Sequence, residues 1–178
     1  MGRRSDAGSS SFGGIVIRPA TEDDLPTIVG IMNFTAENSI ATFDTRPITV
    51  AERRDWFRHF APTGPYRAFV ARDGDKVLGY ACTQPYRAHE AFRETVEVSI
   101  ALNAAARSRG IGTMLYSALF DSLAGEPVHV VVSGIALPND ASIALHRKFG
   151  FTDVGVFREY AVKHGQYISS LWMQRFLP

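Results

Sequence analysis

One stretch, residues 95–123, limits what this chain can fold into more than any other. Its first part, Thr-Val-Glu-Val-Ser-Ile-Ala-Leu, alternates: Val96, Val98, Ile100 and Leu102 share one face, and Thr95, Glu97, Ser99 and Ala101 the other. A period of two predicts a β-strand with one well-buried face. Its last part carries Met114, Leu115, Ala118, Leu119 and Leu123 at helical spacing, which predicts an amphipathic helix. Between them run Arg107, Ser108, Arg109, Gly110, Ile111 and Gly112. A strand, a basic glycine turn and a helix aim free backbone N–H groups and a positive helix end at an anion, a phosphate above all. Glycine lets the backbone come close, and arginine complements the charge.

Two common phosphate loops fail on residue identity. A Walker loop needs Lys and then Ser or Thr after its second glycine, whereas Gly112 is followed by Thr113 and Met114. A dinucleotide fingerprint needs a third glycine, and Leu115 stands in its place. Taken alone, the remaining pattern also suits a plain glycine turn that caps a helix.

At 178 residues the chain has room for one domain with a substantial core. A net charge of +1 gives no global attraction to nucleic acid or to an anionic membrane. Cys82 is the single cysteine, so no intramolecular disulfide is possible, and no Cys/His cluster has zinc spacing. Its apolar neighbours Leu78, Tyr80 and Ala81 make it a buried structural thiol. No apolar run reaches the ~20 residues of a membrane span and no signal-peptide core is visible, so a cytoplasmic protein is expected.

In chain order, residues 1–14 are small, polar and rich in glycine and serine. They are expected to be disordered or a leader foreign to the natural chain, with residues 15–178 forming a single domain. Residues 14–20 read as a strand, 25–36 as a helix behind an acidic start, and 49–60 as a second helix. Strands at 67–72 and 76–83 flank the turn Asp73-Gly74-Asp75. The β-branched run 128–133 predicts a strand buried on both faces, with His129 a core residue. A short helix opens at Pro138-Asn139-Asp140 and runs to Lys148, and strands at 154–157 and 167–176 close the chain. The order βααβββαβαββ predicts an α/β domain, a mixed sheet with helices on both faces.

The pattern Arg107-x-x-Gly110-x-Gly112 resembles the pyrophosphate loop of the GNAT N-acetyltransferases. Three further segments sharpen the likeness. Ala41-Thr42-Phe43 is followed by Pro47 and by Trp56-Phe57; Tyr86-Arg87-Ala88-His89 leads to Thr95-Val96-Glu97; and Pro138-Asn139-Asp140 leads to His146 and Phe149-Gly150-Phe151. Together they resemble the branch that acetylates phosphinothricin, methionine sulfoximine and methionine sulfone, over nearly everything from Ile15 onward. The resemblance implies the GNAT fold with a mostly antiparallel central sheet, acetyl-CoA as co-substrate, no metal, and a homodimer. It implies acetyl transfer to the amino group of a small amino acid or amino acid analogue. A protein or peptide N-acetyltransferase and a catalytically silent acyl-CoA-binding module are the alternatives.

By the same resemblance, Ile100, Ala101 and Leu102 hold the pantetheine arm together with Asn139. Arg107, Ser108, Arg109, Gly110, Ile111, Gly112 and Thr113 hold the pyrophosphate. Arg87 stands where the family captures the acceptor's carboxylate, with Ala88, His89, Phe43 and Phe92 around the acceptor. A guanidinium suits a carboxylate because it binds it bidentately, although a loop arginine is as readily a solvated surface group.

Acyl transfer from a thioester to an amine needs a base for the ammonium proton, a donor for the developing oxyanion and help for the departing thiolate. Glu97 is the candidate base. Alternation sets it opposite the Val96/Val98 row, the resemblance places the family's catalytic glutamate there, and partial burial raises a carboxyl's pKa. His146 stands where GNAT enzymes generally carry a tyrosine that acts as acid, and histidine can donate or accept near neutral pH. Tyr86 and Tyr167 replace the family's usual tryptophans, Ser169 an aspartate, and His89 an arginine of some members. These departures lie on the acceptor side, so they bear on the acceptor and leave acetyl-CoA use intact.

Overall fold

The computed structural model describes residues 11–12, 14–106 and 109–178. In chain order the elements are β1 (Ser11–Phe12), β2 (Ile15–Pro19), α1 (Leu25–Asn38), α2 (Val50–Phe57), β3 (Ala68–Asp73), β4 (Lys76–Pro85) and β5 (Thr95–Leu102). They continue as α3 (Ile111–Asp121), β6 (Val130–Ala136), α4 (Asp140–Lys148), β7 (Thr152–Lys163) and β8 (Gln166–Phe176). The strands form one eight-stranded sheet in the order β1-β2-β3-β4-β5-β6-β8-β7. Its neighbours pair antiparallel except β5 and β6, which the α3 crossover makes parallel.

Helices cover both faces, as the element order predicts. On one face Ile28, Ile31 and Met32 of α1 pack with Val70, Tyr80 and Cys82, and Trp56 and Phe57 of α2 close over them. On the other, Leu115, Tyr116 and Leu119 of α3 pack with Ile17, Ala81, Val96, Val131 and Met173. Strand β4 lies between the two layers, which is why Val77 to Thr83 are buried without alternation. Burial pushes the Cys82 thiol up to about 12, so it is the structural thiol expected of it. Helix α2 buries none of its residues and depends on its start: Glu52 N–H donates to Thr49 Oγ1 at 3.2 Å, and Thr49 N–H donates to Glu52 Oε2 at 2.6 Å.

One arginine ties the connection into β3 to the C-terminal end of α3. Arg67, just before β3, donates to the carbonyls of Pro62, Gly64 (2.9 Å) and Ser122 (2.9 Å), the last at the C-terminal end of α3. It also pairs with Glu126 at 2.7 Å, and the two side chains are only 11% and 20% exposed.

Ser11–Phe12 pair with Ile15 and Val16, inside the stretch expected to be disordered or a foreign leader; residues 1–10 and 13 lie outside the described residues. Two expectations change. The strand expected at 154–157 is a 12-residue edge strand, β7, exposed along almost its whole length. His129 precedes β6 with its side chain exposed against the Phe176 ring, because pairing with β5 begins only at Val130.

The feature that positions the site is how short the parallel joint is. Strands β5 and β6 pair only at Thr95↔Val130, Val96↔Val131 and Glu97↔Val132. Beyond Glu97 the two strands part. The edge of β5 facing β6 then carries backbone N–H and C=O groups with no strand partner.

Candidate active site

The split between β5 and β6 opens into a cavity of about 670 Å³. Residues 98–102 of β5 form one wall and residues 133–136 of β6 the other. Asn139, Leu145 and His146 line it from the α4 side, and Thr42, Arg53, Trp56 and Gln84 from the α1–α2 side. Since these two sets belong to opposite layers, the cavity passes through the sheet. Glu97 lies in its lining at the fork where the strands separate.

Burial raises the Glu97 carboxyl above the ordinary carboxylate range, and a hydrogen bond from the Gln84 side chain opposes the rise. Gln84 is the cross-strand neighbour of Glu97 on β4. Its amide is oriented by Trp56, whose indole N–H donates to Gln84 Oε1 at 3.1 Å. Strand β5 supplies the carboxylate, β4 the amide and α2 the indole. The result is a half-buried carboxylate held in place beside free backbone groups, which is what proton abstraction from an ammonium requires.

His146 is 2% exposed, and both of its ring nitrogens are engaged. Nδ1 lies 2.7 Å from the Ser142 carbonyl, which can only accept, so Nδ1 carries the hydrogen. Nε2 then accepts from the Tyr116 hydroxyl at 2.9 Å. Burial lowers the His146 pKa, and the bond to Ser142 offsets part of that, so the ring is held neutral. Tyr116 also lines the cavity. It is hidden in the sequence because it continues the apolar stripe of α3.

On the expected acetyl-CoA side, Ile100, Ala101, Leu102 and Asn139 all line the cavity. Asn139 caps α4 by accepting from Ser142 N–H at 3.2 Å. Gly110, the residue before α3, has φ 74°, a left-handed conformation that glycine adopts at no steric cost. Gly112 is buried where a Cβ would meet Leu145 at 3.1 Å, so its lack of a side chain lets α3 approach α4. Ile111 is buried at the start of α3, and Arg109 is exposed, 3.5 Å from Asp73. Thr113 Oγ1 accepts from Lys148 Nζ at 3.3 Å, so α4 brings to this helix end a cation the sequence reading missed. Arg107 and Ser108 lie outside the described residues.

The expected acceptor residues do not line the cavity. Arg87 is exposed, its guanidinium over the rings of Tyr86 (5.1 Å) and Phe92 (5.7 Å). Ala88 and His89 are exposed beside it. Phe43 packs edge-on against Tyr160 at 5.7 Å. These groups belong to an aromatic ridge outside the cavity, running Phe43–Tyr160–Phe157–Trp172–Tyr86–Phe92.

The profile of the acetyltransferase (GNAT) family matches residues 28–151. The chain belongs to this family. It is 42% identical over 163 residues to a phosphinothricin N-acetyltransferase of Streptomyces coelicolor, covering 90% of this chain and 95% of that one. It is 37% identical to an L-methionine sulfoximine/L-methionine sulfone acetyltransferase of Pseudomonas aeruginosa, covering 89% and 92% of the two chains. Among solved structures it superimposes with a TM-score of 0.85 on a phosphinothricin acetyltransferase from Sinorhizobium meliloti in complex with acetyl-CoA. That pair is 32% identical, with 92% of this chain and 89% of the other covered.

As a GNAT enzyme the protein is an acetyl-CoA-dependent N-acetyltransferase, and its residues fit that co-substrate. The unpaired edge of β5 offers backbone partners to an amide-bearing arm, and α3 begins behind a left-handed glycine with Arg109 alongside.

Proposed function

We propose that this GNAT enzyme acetylates the amino group of a small amino acid or amino acid analogue of the phosphinothricin and methionine sulfone kind. The observation that carries the reading is Glu97, a carboxylate with raised proton affinity inside a cavity whose other half is free backbone. Acetyl-CoA supplies the activated acyl thioester. Glu97 takes the ammonium proton of the acceptor, directly or through a water, and Gln84 and Trp56 keep its carboxylate aimed. Backbone N–H groups along residues 99–102 face the oxygen on which charge develops. On the α4 side the Tyr116 hydroxyl, in the cavity lining, donates to the neutral His146. The names and coverage of the relatives support the acceptor class.

The decisive measurement is thiol release from acetyl-CoA with methionine sulfone, methionine sulfoximine, phosphinothricin and the common amino acids. Turnover of at least one of them, with blocked peptides inert, is expected. Turnover of peptides alone, or acetyl-CoA binding with no turnover at all, would remove the small-acceptor reading.

A homodimer is part of the proposal, as is a cytoplasmic place for the reaction. Val154, Val156, Phe157, Tyr160, Val162 and Tyr167, all on the β7–β8 hairpin, are 42–71% exposed. An apolar face of this kind on an edge strand suits burial against a second copy. That face adjoins the aromatic ridge carrying Arg87, so a second copy seated there would turn Arg87 and Phe43 from surface groups into walls of the acceptor entrance. Val156→Lys is expected to yield monomers by sedimentation, with KM for the acceptor raised. A wild-type protein that sediments as a monomer would end this part of the proposal.

A further inference from the structure

The cavity contains one arginine among the described residues that line it, and it is Arg53 of α2, not Arg87. A guanidinium carries five N–H donors. Arg53 uses none of them in a hydrogen bond to a described residue, and its Nε is buried without a partner. Buried polar groups are normally satisfied, so an orphaned donor in a cavity lining marks a place where a ligand completes the set.

The surroundings hold this cation in place without filling its donors. Its carbon lies 5.6 Å from the centre of the Trp56 ring, within cation–π range. Asp44 approaches one terminal nitrogen at 3.6 Å, too far for a hydrogen bond, and its Oδ2 already accepts from Thr42 Oγ1 at 3.1 Å. The loop bearing Thr42 and Asp44 is itself tied down by buried Lys163, whose Nζ donates to the Thr42 carbonyl at 2.7 Å. Arg53 is 27% exposed, and of its nitrogens only Nε is sealed from solvent without a partner. Arg53 shares the cavity lining with the proposed base: Trp56, one turn along α2, donates to Gln84, and Gln84 is the cross-strand neighbour of Glu97.

We propose that Arg53 is the binding residue for an acid or oxo group of the acceptor, a carboxylate or a phosphinate- or sulfone-type oxygen pair, held while the amine lies at Glu97. The inference rests on the small-acceptor reading above and names the chemical feature that the acceptor must carry. Paired oxygens suit a guanidinium because two parallel N–H···O bonds form at once.

The test uses the full-length enzyme with Arg53→Gln and Arg53→Lys. Acceptors are methionine sulfone, its α-carboxamide, and methionine, which lacks the sulfone oxygens. Acetyl-CoA affinity is measured alongside. Arg53→Gln is expected to raise KM for the fully oxygenated acceptor about 10–100-fold, as for loss of charge-assisted hydrogen bonds, with acetyl-CoA affinity unchanged. Arg53→Lys should recover part of the loss. The penalty should disappear for whichever analogue lacks the group that Arg53 holds: the carboxamide if it is the carboxylate, methionine if it is the sulfone. An equal penalty on all three acceptors, or none on any, overturns the proposal while the small-acceptor reading stands. A wild-type enzyme that turns over none of the three, and none of phosphinothricin, methionine sulfoximine or the common amino acids, overturns both.

Discussion

Glu97→Gln is expected to lower kcat by about 10²–10³-fold, the usual worth of a positioned general base, while acetyl-CoA affinity stays as it is. Glutamine keeps the shape and the contact with Gln84 but has no basic oxygen. The pH dependence carries a second signature. Because burial raises the Glu97 pKa, the acid limb of kcat/KM should fall above the ordinary carboxylate range, and the residual activity of Glu97→Gln should lack that limb. Stability should move the other way. Between the ordinary carboxylate pKa and the raised one, the folded chain holds a proton that the unfolded chain has released. Wild-type stability therefore declines as pH rises through that window, and above it the ionised, half-buried carboxylate stays a burden. Glu97→Gln should lack the decline and gain in melting temperature relative to wild type as pH climbs. Unchanged kcat, or parallel melting curves for the two proteins across acid and neutral pH, would count against Glu97 as the buried base.

Arg67→Ala is expected to cost about 3–5 kcal/mol of folding stability, the scale for removing one partner from a buried ion pair. The loss combines several terms. Glu126 would keep a largely buried charge with no counter-ion, and the carbonyls of Pro62, Gly64 and Ser122 would lose their donor. Two of those carbonyls belong to the connection into β3 and one to the end of α3, so the change loosens the joint between helix layer and sheet. Urea unfolding with Arg67→Lys and Glu126→Gln alongside separates these contributions. Lysine can restore the charge but not the fork, and should recover less than half of the loss. A cost below about 1 kcal/mol for Arg67→Ala would place the network among surface ion pairs of little consequence.

The parts of this protein that the sequence disclosed are those written as a local period. Strand β5 alternates, α3 carries a clean apolar stripe, and the glycines between them have one structural use each. Glu97 stands out in the sequence because alternation and motif agree on one residue. Strand β7 was cut short because it is exposed on both faces, so no hydrophobic alternation marks it. Its register also slips near Asp153/Gly155 and Phe157/Ala161, and Glu159 takes a φ of 49°. His129 misled because β-branched neighbours suggested burial, while strand pairing starts one residue later. Arg53 was illegible for a different reason. In a helix as charged as Val-Ala-Glu-Arg-Arg-Asp-Trp-Phe, nothing local says which arginine turns inward; only the tertiary placement of α2 over the cavity decides it. Tyr116 was concealed by the opposite circumstance, a polar hydroxyl on an otherwise apolar stripe.

The short parallel joint between β5 and β6 has a consequence for how such an enzyme diversifies. The groups it exposes on the acyl-donor side belong to the main chain, and every residue type except proline supplies the same N–H and C=O. If this edge takes the acyl donor, its hydrogen bonds depend on the backbone of residues 98–102 more than on their side chains. The opposite half is made of individual side chains on α2, the loop at 39–44 and β4, each replaceable by a single codon change. Descendants of one ancestral gene can thus exchange acceptors repeatedly while inheriting the same acyl donor.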